Sequence, residues 1–269
     1  MKIGLLCAMK TEFDQLLPYL RETARHEVAK TTVIEGDVNG LPVVLAATGV
    51  CKVNAGITAQ LLIDRFAVTH IIMVGVAGSM DPRLGIHALA FSQRLAQHDV
   101  NVAWLRHRGG IADGYYPGDP MLLSVCHKLN ERGVFLYPAF FGDMVSGEQF
   151  IAQEGRQEIV DAWHPLCVDM ESAAAAYTCY VNDVPFLAIR AMSDTGDESG
   201  VANSNVVILA PGPERAVGLH SHRVVLLSRD LHHIVHNLHR LMARGSSAVA
   251  HLAVQIKAER PQRSVGFQH

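Results

Sequence analysis

The chain has 269 residues, 49% of them hydrophobic and 18% charged, with a formal net charge of −3. That size and apolar content support a substantial core, and no Pro/Gly/Ser-rich linker divides the first 200 residues, so one large domain is expected. A charge this close to balance argues against nucleic acid or an anionic membrane as the main partner.

KIGLLCA (2–8) is a short apolar run and reads as a buried strand. TEFDQLLPYL then places Phe13, Leu16, Leu17 and Leu20 on one face of a helix beginning near Thr11. TTVIEG (31–36) and LPVVLAATG (41–49) flank DVNG, whose Asn-Gly signals a hairpin. KVNAGITAQLLIDRF (52–66) has helical periodicity, and HIIMVGVAG (70–78) is a second buried strand. HALAFSQ (87–93) and DVNVAWL (99–105) both read as strands. A loop, RHRGGIADGYYPGDP, leads to a helix over PMLLSVCHKLNER (120–132), and VFLYPAFFGDMVSG (134–147) reads as a strand with its exit loop. ESAAAAYTCYVN (171–182) is a small-residue helix, rich in the best helix former, and PFLAIRAM (185–192) is the next strand. The alternation predicts an α/β fold: a single domain, three-layer α/β/α, with a mixed, partly parallel central sheet.

Ligands of such sheets sit beyond the carboxyl ends of strands, so the residues just after strands carry the candidate chemistry. Glu12 lies in the first turn of its helix. There it is either a helix-start acid favoured by the dipole or a base facing the cleft. Asp169 and Glu171 in VDMES are either a helix N-terminal acid pair or a grip on a sugar diol, since one carboxylate accepts two hydroxyl hydrogens. Arg190 inside an apolar strand needs a buried anion or the cleft. Ser193 and Asp194 end that strand; they begin an ordinary turn or present a proton to a ring nitrogen. Phe150 in SGEQF either stacks a base or belongs to the core.

Five cysteines (Cys7, Cys51, Cys126, Cys167, Cys179), widely spaced and without C-x-x-C, fit reduced thiols in a cytoplasmic protein. The apolar opening IGLLCAM is too short for a signal-peptide core, and no run of about 18 apolar residues marks a membrane span.

MKIGLLCAMKTEF, TGVCKVNAG, VGVAGS, DMVSGEQFI, VDMESAAAA and VPFLAIRAMSD occur together and in this order. In this the chain resembles the nucleoside phosphorylase-like superfamily, and within it the 5′-methylthioadenosine/S-adenosylhomocysteine nucleosidases. The resemblance covers roughly the first 200 residues. It implies hydrolysis of the N-glycosidic bond of adenine nucleosides, with no cofactor and no metal. It implies that Glu12 activates the attacking water and that Asp194, steadied by Ser193, protonates N7 of adenine. Glu171 falls on the ribose-binding acid, Met170 on the methionine packed against the sugar, and Arg190 on the arginine near that acid. Phe150 falls on the base-stacking aromatic, Ile151 on the residue whose backbone reads the adenine edge, and Met9, Ala77 and Gly78 line the nucleoside site. The partner is a small-molecule adenine nucleoside, with no nucleic acid and no membrane. A homodimer is also implied; the loop holding Trp104 and Pro117 either lends residues to the 5′ side of the partner's site or is an ordinary surface loop.

The chain departs from the family pattern at three places. Val76 stands where a small hydroxyl residue is usual, and Cys51 where glycine is usual. After Asp197 the pattern is lost, which gives a nucleosidase domain over 1–245 with a divergent segment at about 198–228 and a C-terminal extension over 246–269. His232, His236 and His239 share a helical face, read as an amphipathic helix rather than a metal site. Methylthioadenosine, S-adenosylhomocysteine, 5′-deoxyadenosine and a futalosine-type nucleoside all stay open as substrates. Three rival functions are a phosphorylase of the same superfamily, a nucleoside-binding homologue impaired in catalysis, and a purely structural protein, which would not explain Glu12, Glu171 and Asp194 together at strand ends.

Overall fold

Alternation along the first strand sets up the two faces of the sheet. In β1 (Ile3–Cys7), Ile3, Leu5 and Cys7 enter one apolar core and Leu6 the other. The structure is a computed structural model that describes residues 1–105, 111, 113–195, 234 and 237. The segment at about 198–228, the histidine stretch at 232–239 apart from Ile234 and Asn237, and the 246–269 extension lie outside the described residues.

The helix α1 (Lys10–Leu16) continues as a 3-10 turn, Leu17–Tyr19, because Pro18 ends the α-helical ladder. Two hairpins follow: β2 (Arg21–Val28) with β3 (Thr31–Val38), and β3 with β4 (Leu41–Ala47). Asn39 and Gly40, both at positive φ (52° and 84°), make the second turn, as the Asn-Gly signal required. After these come α2 (Lys52–Phe66), β5 (His70–Ser79) and β6 (Leu89–Gln97). DVNVAWL is not a strand. Asn101 Oδ1 accepts the Ala103 N–H at 2.9 Å and turns the chain into the four-residue helix α3 (Val102–Leu105). Then come β7 (Tyr115–Pro117), α4 (Pro120–Glu131), β8 (Ala139–Ser146), α5 (Arg156–Trp163), β9 (Cys167–Asp169), α6 (Ser172–Val181) and β10 (Phe186–Asp194).

The strands form one mixed ten-stranded sheet. Strands β4, β1, β5 and β10 run parallel side by side. The sheet then curls. Strand β10 pairs β6, β6 pairs β8, β8 pairs β9, and β9 returns to cross the end of β5 at Gly78 and Ser79. That closure brings the exits of β8 and β9 to the carboxyl ends of the parallel strands. Helices α1 and α4 pack one face through Phe13, Leu16, Leu122, Val125 and Leu129. Helices α2 and α6 pack the other through Ala55, Ala59, Leu62 and the alanines 173–176. This is the expected three-layer α/β/α arrangement around a mixed sheet.

Candidate active site

The carboxyl ends of β1, β4, β5 and β10, with the exits of β8 and β9, surround one cavity of about 270 Å³. That is just below the usual range of about 300–1,000 Å³ for small-molecule pockets. Met9, Glu12, Ala77, Gly78, Phe150, Ile151, Met170, Glu171, Arg190, Ser193 and Asp194 all line it.

Glu12 reaches back from α1 and is almost fully buried. Its Oε2 accepts the N–H groups of Ala8 (2.8 Å) and Met9 (2.9 Å), and its Oε1 accepts that of Val76 (3.1 Å). Burial raises its pKa, while Arg190 and the backbone donors pull the other way. Gly75 makes this approach possible: a Cβ there would stand 2.2 Å from Arg190 Nη1 and 2.9 Å from Glu12 Oε1.

Arg190 rises from β10 into the same buried cluster. Its Nε and Nη2 donate to Ser172 Oγ (3.0 and 2.8 Å), and its Nη1 donates to the Val76 carbonyl (3.3 Å). Asp169 Oδ2 lies 2.8 Å from Nε as an ion pair, and Glu171 Oε2 lies 3.5 Å from Nη2. Two carboxylates thus meet the need of a buried arginine.

The two acids of VDMES divide the readings left open by the sequence. Asp169 Oδ1 accepts from Ser146 Oγ and from the N–H groups of Glu171 (3.1 Å) and Ser172 (3.0 Å), so it anchors the start of α6. Glu171 takes the Cys51 N–H on Oε1 at 3.0 Å. Burial pushes its pKa up to about 7 against the pull of Arg190.

At the far end, β10 slips register between Met192 and Asp194. This bulge re-aims Asp194 against Gly78, where a Cβ would be 3.3 Å from Oδ1. Ser193 Oγ donates to Asp194 Oδ2 at 2.8 Å. Arg156 secures the strand end by donating to the Ser79 carbonyl and to that of Thr195 (3.2 Å).

Phe150 is 63% exposed at the mouth, so it is not a core residue. Ala8, Val50, Gln149 and Val168 also line the cavity. Val50 and Gln149 fall just after strands, where the sequence argument points. Val168 sits in a three-residue strand too short to show a period. Cys51 holds φ 85° and ψ 159°, a region that favours glycine.

A family model described as the phosphorylase superfamily matches residues 2–209. A 5′-methylthioadenosine/S-adenosylhomocysteine nucleosidase of Mycobacterium bovis is 32% identical over 226 residues, covering 74% of this chain and 88% of that one. An aminodeoxyfutalosine nucleosidase of Campylobacter jejuni is 29% identical over 204 residues, covering 74% and 87%. Among solved structures, a 5′-methylthioadenosine/S-adenosylhomocysteine nucleosidase of Colwellia psychrerythraea in complex with adenine superposes with a TM-score of 0.75. It is 25% identical, and the match covers 88% of this chain and 95% of that one.

Proposed function

The chain belongs to the phosphorylase superfamily, and on that premise we propose that it is an adenine-nucleoside N-ribosyl hydrolase. Its substrates are 5′-methylthioadenosine and S-adenosylhomocysteine, with 5′-deoxyadenosine a further candidate, and adenine is released. The observation that carries this reading is the placing of two carboxylates on one strand's edge. Glu12 is pinned to the N–H of Val76 and Asp194 lies against Gly78, two residues on. Both carboxylates also line the same cavity, which sets a base and an acid around a single substrate.

Glu12, held by three backbone N–H groups, orients water and takes its proton. The water oxygen bonds to C1′ as the C1′–N9 bond breaks. Its electron pair passes to the purine, and Asp194 supplies a proton to N7, so adenine leaves neutral. Exchange with solvent returns Glu12 and Asp194 to their starting states. Ser193 steadies the Asp194 carboxyl. Glu171, the acid at the cavity wall, accepts ribose hydroxyls, and Arg190 behind it balances its charge. Met170 and Met9 pack the sugar, Phe150 and Ile151 meet the base, and Ala77 and Gly78 floor the site. Among the described residues, Arg190 is the one cation lining the cavity, and it is already paired with two carboxylates. That disfavours phosphate as the nucleophile.

The exposed pair Val53 and Ile57, one turn apart on α2 (69% and 54% exposed), supports a homodimer. The unpaired cysteines suit a cytoplasmic setting, and the products suit methionine salvage. A futalosine-type nucleoside is the second reading, favoured by the Campylobacter relative of comparable identity.

The test is adenine release from the four candidate nucleosides, with and without phosphate. Release from methylthioadenosine without phosphate is expected. Release that requires phosphate, or from no substrate, would overturn the reading.

A further inference from the structure

The loop that carries Phe150 has little burial to hold it: Glu148, Gln149 and Phe150 are all exposed, and residues 147–155 form no helix or strand. It is nonetheless tied down two residues before Phe150. The Glu148 N–H donates to Asp99 Oδ2 at 2.9 Å, and the other oxygen of Asp99 accepts from Lys52 Nζ at 2.6 Å. Lys52 opens α2 directly after Cys51, whose own N–H donates to Glu171 Oε1. One line of bonds therefore joins the base side of the cavity to its ribose side: loop 147–151, Asp99, Lys52, Cys51, Glu171.

This pair is more sheltered than the exposed pair Lys10–Asp14. The Lys52 side chain is only 12% exposed and that of Asp99 29%, against 82% and 48% for Lys10 and Asp14. Burial would raise the Asp99 pKa, yet Lys52 and the Glu148 N–H hold it below its ordinary value. Asp99 stays ionised, and a charged acceptor makes the stronger hydrogen bond to the loop. The neighbouring His98 donates its backbone N–H to the Ser146 carbonyl at 3.1 Å, so the turn that presents Asp99 is itself fixed to the end of β8.

We propose that Asp99 and Lys52 are positioning residues that hold the Phe150 loop in register with Glu171, so that base and ribose are gripped together. The gain in binding rests on the nucleosidase reading; the loop restraint does not. In Lys52→Met and Asp99→Ala, KM for the nucleoside should rise about tenfold with kcat changed much less, in line with coupling inside one polar network. Lys52→Arg, which keeps the charge, should restore KM to near the wild-type value. The double variant should be no worse than either single one. Asp99→Asn is isosteric and supplies the same comparison should the alanine variant not fold.

Hydrogen exchange at the Glu148–Ile151 amides reads the restraint without any substrate and should quicken in Lys52→Met and Asp99→Ala. Unchanged exchange and KM in both variants, or a loss of kcat with KM untouched, would overturn the proposal. Faster exchange in a protein that releases no adenine would sink the nucleosidase reading while leaving the restraint standing.

Discussion

Asp169 and Glu171 are two residues apart and both line the cavity, but only Asp169 anchors the start of α6, while Glu171 takes the Cys51 N–H. Sequence spacing could not divide them, because the split depends on where β9 ends and α6 begins. Asp194 was legible as an acid at a strand end, but the bulge that aims it was not, since a bulge leaves no periodic trace. Its neutral isostere tests its role: Asp194→Asn should lose at least about 10²-fold in kcat, the typical worth of a positioned acid, with the fold intact by circular dichroism. Full turnover in that variant would remove the proton-donor assignment. Glu12→Gln should bind nucleoside and fail to hydrolyse it, measured by calorimetry beside adenine release. Cys51 is a further residue-scale case. Its φ of 85° costs a non-glycine residue about 1–3 kcal/mol. Cys51→Gly should therefore raise the denaturation midpoint, less the extra chain entropy of glycine. A lower midpoint would show that the hydrogen bond between the Cys51 thiol and the Glu148 carboxylate outweighs the strain.

The elements legible in the sequence are those with a buried period. KIGLLCA, KVNAGITAQLLIDRF and PFLAIRAM each had apolar positions that an actual core receives. Strand β2 was not legible because RETARHEV is charged and largely exposed, the composition of an edge strand, and only pairing with β3 makes it a strand. Helix α5 was missed because it is two turns long, starts at Gly155 without a side-chain cap and buries only Ile159 fully. DVNVAWL misled through its alternating valines, since Asn101 diverts the backbone before pairing can begin. At this scale Gly75 is the sharpest test. It sits mid-strand, where glycine weakens a sheet, and its lack of a side chain admits Arg190 and Glu12. Gly75→Ala should destabilise the protein by about 1–3 kcal/mol, the usual cost of overpacking, and abolish activity by displacing Glu12. A stable, active Gly75→Ala variant would show that the Arg190 cluster tolerates movement.

For the whole molecule, the buried cluster of Glu12, Asp169, Glu171 and Arg190 links stability to pH in a direction fixed by sign. Glu171 titrates near 7 in the folded chain, against an ordinary value of 4.5. The folded state therefore holds this proton more tightly than the unfolded state. The stability it confers is complete below about pH 4.5 and is lost as pH rises through about 7. Histidines such as His70 and His98, whose pKa values burial lowers, pull the opposite way below their ordinary value of 6.5. The bare profile of the protein thus mixes both effects. Subtracting the profile of Glu171→Gln removes the histidine part. The difference in unfolding free energy, wild type minus variant, should fall by about 3 kcal/mol between pH 4.5 and 7, at about 1.4 kcal/mol per unit, and level off above pH 8. A flat difference across that window would show that Glu171 is ionised throughout. If Glu171 accepts ribose hydroxyls, nucleoside binding favours its ionised form and expels the proton. Affinity should then climb over the same range in which apo stability falls, and calorimetry in two buffers of different ionisation enthalpy would count the proton released. The same group that, protonated, stabilises the empty fold at low pH would then, ionised, make the site competent as pH rises.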